Sequence, residues 1–125
     1  MNKDTKFSLH SRLKSFTYAF QGIIHFLRTE HNAWIHMSAT IAVIIMAILV
    51  KVTRGEAIAL VVAVAFVWIT EMLNTSIEKA MDVVSQEYHP KIKIIKDLSA
   101  GAVLVAAIAA FLIGLIIFIP KFFLL

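Results

Sequence analysis

Apolar residues recur at Leu13, Phe16, Phe20, Ile23, Ile24 and Leu27, while Arg12, Lys14, Gln21, His25 and Arg28 lie elsewhere around the wheel. This pattern predicts an amphipathic helix over about 11–28 with Ser11 as its N-cap. Met1 to His10 is short and polar and is expected to fray. After Arg28 the pattern changes to three long apolar stretches, at about 33–50, 57–80 and 98–119, each long enough to cross hydrocarbon as a helix. Trp34 stands where an interfacial aromatic belongs. Between the second and third stretches, Gln86 to Asp97 reads as a polar connector broken by Pro90, with Asp97 capping the third span and Pro120 closing it. Ala102, Ala106, Ala110 and Gly114 recur every fourth residue in that span, a spacing that lets membrane helices approach closely.

The expected fold is an all-α membrane protein with an N-terminal amphipathic surface helix plus three transmembrane helices, in a single domain over 1–125. Composition agrees: 60% of the 125 residues are hydrophobic and 16% charged, too apolar for an ordinary soluble domain. The surface helix is expected on the cytoplasmic membrane face with its basic side on anionic headgroups, the alternative being a helix packed only on protein. Cysteine is absent, which excludes disulfides, thiolate nucleophiles and Cys-based zinc sites. No apolar core with a small-residue cleavage site opens the chain, so no removed signal peptide is expected. Lys3, Lys6, Arg12, Lys14 and Arg28 precede the first span, and Lys79, Lys91, Lys93 and Lys96 lie around the second connector. Only Lys51, Arg54 and Lys121 fall on the other side, which orients the N-terminus to the cytoplasm and the C-terminus opposite.

The candidate chemistry sits at the foot of the second span. Glu71, Asn74, Glu78 and Asp82 are spaced three, four and four, within roughly 80° on one helix face. A carboxylate at the foot of a membrane-grade segment is expensive and reads as functional, an ion pair across subunits being the structural alternative. With the inferred orientation, Glu30, Glu71, Glu78, Glu87, Lys96 and Asp97 collect at the cytoplasmic interface from different segments. No soluble-kinase or phosphate-loop motif is present. Carboxylates with nearby lysines suit magnesium that binds mainly through a nucleotide's phosphates, with Glu30 and Glu78 as ligands. The deeper Glu71 suits a general base accepting a hydroxyl proton. Asp82 and Glu87, taken singly, are as readily solvated surface; Tyr18 reads as interfacial packing; His25, His31 and His36 read as interface polar groups.

These residues resemble a known family, the small bacterial membrane lipid kinases that include prokaryotic diacylglycerol kinase and undecaprenol kinase. The resemblance is carried by Glu71-Met-Leu-Asn74-Thr-Ser-Ile-Glu78-Lys-Ala-Met-Asp82, then Glu87-Tyr88-His89 and Lys96-Asp97, and extends back through Glu30, Gly22, Tyr18 and Arg12. It implies a homotrimer in the bacterial inner membrane whose active sites are shared between subunits. It also implies ATP as phosphoryl donor, Mg2+ as cofactor and a membrane lipid alcohol as acceptor, with no nucleic-acid partner. By matching positions, Glu71 is the implied base and Asn74 its support. Glu30 and Glu78 are the implied magnesium and nucleotide ligands. Arg12, Tyr18, Glu87, Tyr88, His89, Lys96 and Asp97 are implied nucleotide contacts, Arg12 only after a one-residue shift against the diacylglycerol kinase branch. Glu71 and Ala100 are implied to face the lipid. The segment Glu30-His-Asn32-Ala-Trp-Ile35-His36 is similar to the undecaprenol kinase branch, which favours undecaprenol over diacylglycerol as acceptor.

Two other classes compete. A small proton-coupled multidrug transporter wants a carboxylate near the bilayer midplane and an even set of spans, whereas here the carboxylates crowd one interface and the spans number three. A non-catalytic membrane subunit would use the stripe only to bind a partner helix.

Overall fold

The computed structural model describes residues 7–124, which form four helices; Lys3 and Lys6, counted in the charge asymmetry, lie outside them. The described residues divide into two packing units, one up to Trp34 and one from Ile35 onward.

In the first unit α1 runs Leu9–Thr29, two residues earlier than the apolar pattern suggests. Its N-cap is Ser8, not Ser11: Ser8 takes an extended backbone and its hydroxyl accepts from the Ser11 N–H at 3.5 Å, so Leu9 and His10 are helical. Three residues before the expected cap, an equally good capping side chain was available, and the longer helix satisfies more backbone. Glu30 alone separates α1 from α2, which spans His31–Leu49. Its N–H donates to the Phe26 carbonyl and its own carbonyl accepts from Ala33 N–H, both at 3.1 Å, so this one extended residue leaves no backbone group stranded.

In the second unit α2 ends in a Schellman turn: Val52 N–H reaches the Ala47 carbonyl, and Lys51 adopts φ 52°. α3 covers Arg54–Val84 and opens with a capping box, in which Thr53 Oγ1 accepts from Glu56 N–H and Glu56 Oε2 accepts from Thr53 N–H. α4 covers Pro90–Phe123. The expected start and stop of this span are both corrected. Pro90 starts the helix rather than breaking a connector, because at the first helical position its fixed φ fits and its missing N–H is not needed. His89 is the N-cap, accepting from Lys91 N–H at 3.2 Å, and Asp97 lies two turns inside the helix. Pro120 stands inside the last turns instead of closing them. So near the end it disturbs only the carbonyl one turn back.

α2, α3 and α4 are each long and apolar enough to cross a membrane. At about 1.5 Å per residue, the 31 residues of α3 reach roughly 46 Å, well beyond about 30 Å of hydrocarbon. The connector of α3 to α4 is only Ser85 to His89, so the last half of α3 and the first turns of α4 share one end, and that end carries Glu71 to Asp97. The opposite end holds the apolar core, where Leu60, Ile117 and Phe118 are buried against Val43, Met46 and Ala47 of α2. There Lys121 also pairs with Glu56 at 3.0 Å. The small-residue stripe is not a uniform seam within this chain: Ala106 is buried, but at Gly114 an added Cβ would meet no atom within 4 Å.

Candidate functional site

Glu71 is the deepest polar group of the second unit, 2% exposed, although it sits on a helix that leaves many apolar side chains exposed. One turn on, Asn74 is also buried, and its Oδ1 accepts a 2.7 Å hydrogen bond from Ser99 Oγ of α4. A buried amide needs such a partner, and Ser99 supplies it from the facing helix. From α2, His36 brings Nε2 to 3.7 Å from Glu71 Oε2. The imidazole lies against the Trp68 ring, whose Nε1 donates to Thr40 Oγ1 at 2.9 Å. α2 thus meets α3 at Glu71, and α4 meets it one turn on at Asn74.

The stripe itself splits by depth. Glu78, two turns beyond Glu71, is exposed. Asp82 is exposed too, and forms a 2.6 Å ion pair with Lys96 of α4. Asp97 pairs with Lys93 one turn back on its own helix. Both pairs are solvent-facing, so they contribute little to stability and can open to a competing anion. Glu87, Tyr88 and His89 occupy the connector and are exposed; Glu87 N–H donates to Ser85 Oγ at 3.2 Å, while His89 caps α4. Ala100 is exposed beside Ser99. All the expected residues from Glu71 to Ala100 therefore lie on the last half of α3, its connector and the first turns of α4.

The remaining expected residues belong to the first unit. Arg12 is exposed and stacks its guanidinium over Phe7 at 5.3 Å. Tyr18 is exposed, and Glu30 is half-buried at the helix break, where Thr29 Oγ1 donates to its carboxylate.

Among the described residues no three His, Asp or Glu side chains gather tightly enough to hold a metal unaided. His36 and Ser99 were missed by the sequence reading. His36 had been read as an interface polar group, yet it turns to Glu71; the usable signal was a polar residue at the head of one apolar run facing a polar residue at the foot of the next. Beside this cluster, a cavity of about 460 Å³ runs among α2, α3 and α4, with His36, Thr40 and Trp68 among otherwise apolar walls that include Phe111 and Phe118.

The family model of prokaryotic diacylglycerol kinase matches residues 17–118. The chain is 38% identical over 120 residues to the undecaprenol kinase of Bacillus subtilis, covering 96% of this chain and 98% of the relative. It is 40% identical over 109 residues to a diacylglycerol kinase of Synechocystis, covering 86% of this chain and 62% of that longer protein. A diacylglycerol kinase of Pseudomonas aeruginosa is 32% identical over 94 residues, 75% of this chain and 76% of its own.

Proposed function

The chain belongs to the prokaryotic diacylglycerol kinase family and is a lipid kinase, and from that premise we propose that it transfers the γ-phosphoryl group of ATP to undecaprenol. The observation that carries the mechanism is the buried Glu71 carboxylate, set one turn from the Asn74–Ser99 bond and two turns from the exposed Glu78. Glu71 accepts the acceptor's hydroxyl proton as the oxygen attacks the γ-phosphorus; the bond to ADP breaks, and the proton passes from Glu71 to water. Asn74, held by Ser99, keeps this stretch of α3 in place. Glu78 and Glu30 would hold magnesium, which when bound neutralises charge on the phosphates. Lys96 and Asp97 exchange their present ion pairs for nucleotide contacts, with Glu87, Tyr88 and His89 beside them. Arg12 and Tyr18 approach the nucleotide from the amphipathic helix, and Ala100 leaves room for the lipid next to Glu71.

The site works at the cytoplasmic face of the bacterial inner membrane, with the N-terminus inside and the C-terminus opposite. Lys79, Lys91, Lys93 and Lys96 at this end against Lys51, Arg54 and Lys121 at the other support that orientation. α1 lies along the membrane surface, and three copies assemble with shared sites. The wide exposure of apolar side chains on α2 to α4 supports cover by lipid and by other copies.

Identity does not separate the two acceptors, since relatives named for each are about equally similar. The near-complete match to a relative named undecaprenol kinase, together with the Glu30 to His36 pattern, favours undecaprenol. Diacylglycerol is the second reading, favoured by the Synechocystis and Pseudomonas names. The test is transfer of labelled phosphate from magnesium-ATP in mixed micelles, with both lipids compared in one assay. Faster turnover of undecaprenol is expected; faster turnover of diacylglycerol reverses the choice. No transfer to any lipid alcohol, with proton-driven cation uptake in vesicles, overturns the kinase reading in favour of a transporter.

A further inference from the structure

His36 of α2 faces the Glu71 carboxylate of α3, with Nε2 3.7 Å from Oε2. The imidazole is itself fixed. Its side chain is 20% exposed, against 3% for Glu71. Its ring meets Trp68 at 6.2 Å between centroids and 58° between planes. Trp68 is locked in turn, because its indole N–H donates to Thr40 Oγ1, and the same hydroxyl donates to the His36 carbonyl at 2.7 Å. Residues 36 and 40 on α2 and 68 and 71 on α3 therefore form a two-helix clamp, each pair one turn apart. An apolar side chain at 36 would fill the same space and leave Glu71 without this polar neighbour, at a large cost in a membrane segment.

On the reading of Glu71 as the base, we propose that His36 is its positioning residue. A glutamate has three rotatable bonds. Contact at one carboxylate oxygen fixes the plane of the group and so the direction of the other oxygen, which must meet the acceptor's hydroxyl proton. The 3.7 Å separation is longer than a hydrogen bond, and contacts of catalytic groups commonly tighten when substrate binds. Misplacement of a reacting group by about 1 Å is enough to cost around a hundredfold in rate. The Trp68–Thr40 bond sets the imidazole's height along α3, so the clamp transmits its geometry to the carboxylate.

The test uses the full-length protein in mixed micelles, with kcat and the KM for magnesium-ATP and for the lipid alcohol measured for wild type, His36→Ala and His36→Gln. Removing the imidazole is expected to lower kcat about ten- to a hundredfold with the KM for magnesium-ATP unchanged, because the nucleotide contacts lie elsewhere. Glutamine, which keeps an N–H donor of similar reach, is expected to restore kcat to within about threefold of wild type. Wild-type kcat in His36→Ala overturns the role, as does an equal loss in both variants accompanied by a raised KM for magnesium-ATP, which marks general damage. Wild-type protein that phosphorylates no lipid alcohol overturns the lipid kinase reading and this role with it; active wild type beside an unaffected His36→Ala overturns this role alone.

Discussion

Ser99 Oγ donates a 2.7 Å hydrogen bond to Asn74 Oδ1, and both residues are buried where α3 and α4 face each other. The pair ties the first turns of α4, which carry Lys96 and Asp97, to the stretch of α3 that carries Glu71 and Glu78. Ser99→Ala removes the donor and leaves the amide oxygen unpaired, so a loss of about 1 kcal/mol in stability is expected. If the bond also holds Asn74 for catalysis, kcat falls several-fold beyond what the stability loss explains. Thermal unfolding in detergent and turnover below the transition separate the two effects; unchanged values for both would mean that the bond holds nothing.

The different depths of Glu71 and Glu78 predict different failures. Glu71→Gln keeps the shape and removes the proton acceptor, so turnover is expected to fall by at least about a hundredfold while nucleotide binding survives. Glu78→Gln, at an exposed position, is expected to weaken magnesium-nucleotide binding with the fold intact. Nucleotide titration alongside turnover distinguishes them. Equal unfolding in both variants would instead identify a structural ion pair.

The three apolar spans and the polar stripe were legible in the sequence because period and length decide them. The helix ends were not. Thr53-Arg-Gly-Glu56 is a readable capping box, yet the expected span began at Ala57, since apolarity was weighed over capping. Pro90 was taken for a breaker because Asp97 offered a plausible cap; the His89 side chain, a weaker capping type, won by sitting next to a proline that fits the first turn. Within the site, Glu71 stood out by its cost. His36 and Ser99 did not, because their meaning depends on which side chain of another helix they face, and that is a packing fact no periodicity holds.

Gly114 borders the cavity among α2, α3 and α4 and tests how much room that cavity leaves. In the helix interior glycine is less favourable than alanine by roughly 1 kcal/mol, and here an added Cβ meets no heavy atom of this chain within 4 Å. Gly114→Ala is therefore expected to raise thermal stability by about 0.5–1 kcal/mol. A loss of stability would mean that the space Gly114 borders among α2, α3 and α4 does not accept the added methyl.

Lys51 carries the one positive φ among the described non-glycine residues, 52°, at the position after α2 where a Schellman turn favours glycine. A side chain in that left-handed region costs about 1–2 kcal/mol, while the extra freedom of glycine in the unfolded chain returns about half of that. Lys51→Gly is thus expected to stabilise by roughly 0.5–1 kcal/mol, and Lys51→Val, branched at Cβ, to destabilise by about as much. Thermal unfolding of the two variants in the same detergent checks the order. Turnover should stay near wild type in both, because Lys51 lies at the end of α2 and α3 remote from Glu71 and takes no part in the proposed chemistry. A Lys51→Gly protein that is less stable would mean that the lysine stem packing beside Val52 and Ala57 outweighs the backbone relief.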